Sequence, residues 1–138
     1  MLHRQHHIAI ICSDWEQARE FYVNKLGFEL IREAYRPAIG DYLRMLKLGE
    51  TTLEIFIKPD DPERVTDPEA KGLRHLAFHV DNVEETARWL NSRGVETEPI
   101  REDKVNGEGH DPPLQVLFQG AFAYAYRKPQ GRGSLFLL

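Results

Sequence analysis

Three side chains in this sequence could bind a divalent metal together. His7 heads the stretch "HIAIICSD", His75 heads "HLAFHVDN", and Glu54 sits among apolar neighbours in "TTLEIFI". Two neutral imidazoles and one carboxylate suit a transition metal such as Zn, Ni, Mn or Fe. Each type also has a plainer role. A lone histidine in a strand is usually structural, and a glutamate on a strand's outer face is usually just solvated. His3, His6, His79 and His110 are read in that plainer way. His7 and His75 stand apart because they occupy the same place in an internal repeat.

The repeat defines the elements that must position them. "HIAIICSD" matches "HLAFHVDN", and "WEQAREFYVNKLG" matches "VEETARWLNSRG" with one residue fewer, about half the chain further on. Each copy begins with a β-rich run. Ile8, Ile10 and Cys12 share one face and His7, Ala9 and Ile11 the other; Leu76, Phe78 and Val80 likewise oppose His75, Ala77 and His79. The spacings Ser13/Glu16 and Asp81/Glu84 predict capping boxes at the start of a helix. Trp15, Ala18 and Tyr22, and Val83, Ala87 and Leu90, then recur at helical spacing, with Gly27 and Gly94 at the ends. The apolar strand face covers the helix stripe, which leaves both histidines on the opposite face.

Three further strands are expected after the first helix, in "FELIREAY", "DYLRMLKLG" and "TTLEIFI", making a βαβββ unit. Leu53, Ile55 and Ile57 should face the helix, and Glu54 and Phe56 the other side. "KPDDPERVTDPEAKG", rich in proline and charge, reads as a linker. The chain is therefore expected to be one domain, 1–138, of two modules at about 1–58 and 73–138. In the second half "KVNGEGHDPP" is loop-like, while "QVLFQ", "FAYAY" and "SLFLL" read as strands.

Composition narrows the function. With 18 basic and 22 acidic residues the net charge is -4, so there is no cationic surplus for a nucleic-acid backbone. No apolar run reaches the length of a membrane span, and "MLHRQHH" lacks the apolar core of a signal peptide. The single cysteine, Cys12, excludes an internal disulfide and reads as a small core residue. These features predict a cytoplasmic protein with no membrane or nucleic-acid partner.

"HHIAII", "AREFYVNKLGF", "TTLEIFI" and "LRHLAFHVDN" resemble motifs of the vicinal oxygen chelate superfamily, in a glyoxalase-like bacterial branch. That superfamily includes glyoxalase I, fosfomycin-resistance enzymes, methylmalonyl-CoA epimerase, extradiol dioxygenases and bleomycin-resistance proteins. The resemblance covers roughly the first hundred residues. It implies an α+β fold of paired βαβββ modules forming a U-shaped mixed sheet around a metal-binding cleft, often in a homodimer. Open sheet edges in paired modules favour association too. Carried over residue by residue, the implied ligands are His7, Glu54 and His75.

Two departures from the family pattern matter. Related chains usually end in D-P-D-G-x-x-x-E, whose glutamate completes the metal site. The matching stretch here reads "KPQGRGSL", with Leu135 in the glutamate's place, and leucine cannot coordinate a metal. On that alignment position 135 faces the cleft. Glutathione-dependent glyoxalases also tend to carry an arginine four residues after the first ligand and an asparagine four after the second. Ile11 and Lys58 hold those places, so a glutathione adduct is not supported.

The resemblance implies a metal-dependent lyase or isomerase acting on a small oxygenated metabolite. The metal would bind vicinal oxygens as a Lewis acid, and an enediolate would form as a proton leaves the adjacent carbon. Glu54 is the ligand most able to double as the base. Two other readings stand beside this one. An Fe(II)-dependent dioxygenase would use the same three donors, although extradiol relatives usually take their carboxylate from the last strand. A non-catalytic binding protein of bleomycin-resistance type would use the cleft for sequestration, with Phe122, Tyr124 and Tyr126 as stacking surfaces.

Overall fold

The structure is a computed structural model. It describes residues 1–62, 65, 68, 70–73, 76–97, 100, 113–118, 121–127 and 133–137, with the backbone alone at 77, at 79 and from 113 onward. The fold is α+β. Contacts divide the chain into two compact units, residues 1–64 and 65–138.

The first unit follows the expected βαβββ order. Strand β1 (Ile8–Cys12) leads into helix α1 (Trp15–Arg19), a π-helical turn (Glu20–Lys25), and strands β2 (Glu29–Arg36), β3 (Asp41–Leu48) and β4 (Thr51–Ile57). The sheet order is β1-β4-β3-β2, with β1 parallel to β4 and the other pairs antiparallel. Three strands after a helical crossover alternate in direction, so the last must run parallel to the first. A register shift between Leu30 and Arg32 marks a bulge in β2.

Burial follows the alternation read from the sequence. Leu46, Leu53 and Ile55 are fully buried, and Ala18, Phe21, Tyr22, Leu26 and Phe28 of the helical stretch and the residues after it are buried too. Burying side chains of this size is worth ~1.5–3 kcal/mol each. Phe21 and Tyr22 are consecutive yet both buried. The π-helical turn allows this: the Leu26 N–H donates to the Phe21 carbonyl five residues back, at 3.0 Å. Arg44, on the same face, ties the helix start to the sheet. Its guanidinium carbon lies 4.4 Å from the Trp15 ring centroid and 4.7 Å from that of Tyr42, and its Nε donates to Glu33 at 2.6 Å.

Both helices start one residue later than the expected capping boxes. The Gln17 N–H donates to Asp14 Oδ1 at 2.8 Å, and the Glu85 N–H to Asn82 Oδ1 at 2.9 Å. Asp14 and Asn82 have the extended backbone of an N-cap, which Ser13 and Asp81 were expected to supply. The later register puts Trp15 and Val83 at the first helical position. Gly27 and Gly94 end the helical stretches at φ of 83° and 71°, as their positions predict.

The second unit contains β5 (Leu76–Val80), α2 (Val83–Ser92), β6 (Glu96–Thr97), β7 (Pro113–Phe118), β8 (Ala121–Arg127) and β9 (Gly133–Leu137). The sheet order is β5-β9-β8-β7-β6, antiparallel throughout. Val83, Ala87, Leu90 and Val95 are buried. Here the expected βαβββ copy gains the short strand β6. Four alternating strands after the helix make the last one antiparallel to the first, where the first unit has a parallel pair.

Candidate metal centre

The sheet of the first unit has one face packed on the helix and one face open. Parallel register sets Ala9 of β1 opposite Glu54 of β4, and Ile11 opposite Phe56. Ala9 and Ile11 are exposed, as expected for the face that carries His7. Immediately before β1, the His7 side chain reaches across to β4. Its Nε2 lies 3.3 Å from Glu54 Oε2, with the two side chains 37% and 14% exposed. That separation is beyond the ordinary range of an N–H···O hydrogen bond. It does match two donors on one tetrahedral ion, which at bond lengths of 2.0–2.1 Å stand about 3.3 Å apart.

The other His7 nitrogen is engaged as well. His6 Nδ1 and His7 Nδ1 lie 2.8 Å apart, so one of them carries the shared proton. When His7 is the donor, its Nε2 holds a lone pair toward Glu54, which is the tautomer a metal requires. His6 was read from sequence as an ordinary structural histidine, yet it contacts this ring. The adjacent pair "HH" was the available signal.

Further along the open face lies a group that sequence reading missed. Arg36 and Asp41 face each other in the β2–β3 register. Arg36 Nε donates to Asp41 Oδ1 at 2.7 Å and Nη2 to Oδ2 at 2.5 Å. The guanidinium carbon stands 4.9 Å from the Phe56 ring centroid. The hydrogen bond to Asp41 raises the Arg36 pKa, and the charges of Asp41 and Glu54 act in the same direction. The Asp41 carboxyl is held below its usual range, first by the Arg36 hydrogen bond and then by the charges of Arg36 and Lys58. Burial pushes the Cys12 thiol up to about 11 and raises the Tyr22 phenol, so neither is a nucleophile at neutral pH. Cys12 is half-buried at the end of β1 and does not join the buried core that its strand position predicted.

Among the described residues no third metal-binding side chain joins His7 and Glu54. His75 lies outside the described residues, as does His110. Phe122, Tyr124 and Tyr126 belong to β8, of which only the backbone is described. Leu135 does not take the expected position. Backbone register sets it opposite Phe78 in β5 and Ala125 in β8. Position 135 therefore shares the Leu76, Phe78 and Val80 face, opposite to that of Ala77 and His79.

Residues 4–112 match the model of the Glyoxalase/Bleomycin resistance protein/Dioxygenase superfamily, and the chain belongs to it. The match stops short of Leu135, so the tail alignment that placed leucine at a ligand position has no support from it. The uncharacterized protein YwkD of Bacillus subtilis (strain 168) is 53% identical over 104 residues, covering 75% of this chain and 81% of that one. The mitochondrial methylmalonyl-CoA epimerase of Bos taurus is 33% identical over 120 residues, covering 84% and 67%. A glyoxalase family protein from Enterococcus faecalis superposes with a TM-score of 0.69 at 43% identity, covering 93% and 91%. Members of the superfamily typically use divalent metals and commonly bind small molecules and form dimers. Among the described residues, no helix is long and apolar enough to cross a membrane.

Proposed function

We propose that the protein is a metal-dependent isomerase or lyase that moves a proton at a carbon next to an oxygen of a small metabolite. The observation that carries this reading is the His7–Glu54 pair, 3.3 Å apart on an open sheet face in a chain of this superfamily. His7, Glu54 and His75 together hold a divalent ion (Zn, Ni, Mn or Fe), which when bound supplies Lewis acidity to adjacent substrate oxygens.

The chain's own groups divide the remaining work. His6 accepts the His7 Nδ1 proton and so keeps Nε2 available as a donor. Glu54, sheltered but within reach of the open face, takes the proton from the substrate carbon. The similarity to an epimerase by name favours the isomerase branch, because epimerisation begins with this same proton transfer.

Deuterium incorporation in D₂O tests the reading. The probes are methylmalonyl-CoA, dihydroxyacetone and 2-oxoglutarate, with Mn²⁺- or Zn²⁺-loaded protein, followed by NMR. At least one probe should exchange its carbon-bound proton well above the buffer rate, and Glu54→Gln should slow that exchange by ~10²–10⁴-fold. Exchange at the buffer rate for all three probes, or exchange unchanged in Glu54→Gln, would contradict it.

A further inference from the structure

The geometry points to Arg36 as the anchor for a second, anionic end of the substrate, so that the ligand of this face is a small oxygenated acid with a distal carboxylate. This deepens the proposed function and rests on it. Asp41 occupies the Nε–Nη2 edge of the guanidinium, and Phe56 supports one of its flat faces. The opposite edge, formed by Nη1 and the outer hydrogen of Nη2, meets no acceptor among the described residues. That edge is the fork that takes a carboxylate by two parallel hydrogen bonds. The Arg36 side chain is 29% exposed, which leaves it open to a ligand while its stem is held.

Distance agrees with this role. Asp41 and Glu54 both act on Arg36 and Lys58 acts on Asp41, so the two cations and two carboxylates balance, and selectivity for a carboxylate rests on the unfilled edge of the guanidinium. Phe56 follows Glu54 by two residues on the same face of β4, a step of roughly 7 Å along a strand. A molecule with vicinal oxygens at His7 and Glu54 would therefore lay a short carbon chain across Phe56 and end at Arg36. Four or five carbons span that interval. Asp41 acts here as a positioning residue. A cross-strand pair needed only to close the β2–β3 hairpin would give no such selectivity, and that is the rival the experiment must separate.

The test compares 2-hydroxyglutarate with 2-hydroxypentanoate, which share one chelating end and one chain length and differ in the distal carboxylate. Calorimetry on the Zn²⁺-loaded protein should show the diacid binding roughly tenfold or more tighter. Arg36→Met should abolish the preference. Arg36→Lys preserves the ion pair with Asp41 and the hairpin, and should retain part of the preference. Equal affinities in the unaltered protein, or a preference that survives Arg36→Met, would overturn the anchor. A second arm needs no metal. Glutarate added to metal-free protein should shift the Arg36 Nε–Hε NMR resonance, and pentanoate should not. A shift in a protein that binds no metal keeps the anchor and overturns the proposed function; absence of the shift overturns the anchor.

Discussion

At the scale of single residues, the His6–His7 contact decides which nitrogen of His7 faces Glu54. A ligating histidine needs its second nitrogen held, and His6 Nδ1 at 2.8 Å is the group that holds it. His6→Ala is expected to weaken Zn²⁺ binding by ~10–100-fold, the usual effect of losing an outer partner of a ligand. His6→Asn, whose amide oxygen can accept the same proton, should recover part of it. Competition titration against a chelating dye reads both. Unchanged affinity in His6→Ala would mean that His7 needs no such support. That His7 and Glu54 meet on one face was legible from strand alternation, while their selection as candidate ligands came from the repeat and the family motifs. Arg36 and Asp41 were not legible, since their meeting depends on the hairpin register, and a one-residue slip would send them to opposite faces.

At the scale of elements, strands proved more readable than helix ends. Strands β1 and β4 alternate, and the buried set of the first unit's strands includes Leu46, Leu53 and Ile55. Helix starts were ambiguous because two capping spacings overlap: Ser13 with Glu16, and Asp14 with Gln17. Both satisfy the pattern, and only packing selects the second. Asp14→Ala should therefore cost ~0.5–2 kcal/mol, whereas Ser13→Ala should stay within about 0.5 kcal/mol. Urea unfolding of the two variants checks this, and a larger loss for Ser13→Ala would contradict the assigned cap. The π-helical turn was invisible for a similar reason. Nothing local in "EFYVNK" asks for it, and it arises where Phe21 and Tyr22 both find room in the core. The two-residue strand β6 is too short for alternation to register, yet it reverses the direction of β9 relative to β5.

At the scale of the whole molecule, the repeat and the family motifs carried the architecture, and the superfamily match over residues 4–112 agrees with them. Beyond that stretch the motif reading lost its footing, and its one specific consequence, a ligand position at Leu135, is contradicted by the pairing of Leu135 with Phe78. The central claim is that His7, Glu54 and His75 hold one divalent ion. A Zn²⁺ titration by calorimetry, run on the unaltered protein and on His7→Ala, Glu54→Gln and His75→Ala under one buffer and pH, tests it most directly. The expected result is one ion per chain, with each substitution weakening binding by more than about 100-fold while the variants remain folded by circular dichroism. A folded protein that binds no ion, or one whose affinity survives loss of both His7 and Glu54, would contradict it.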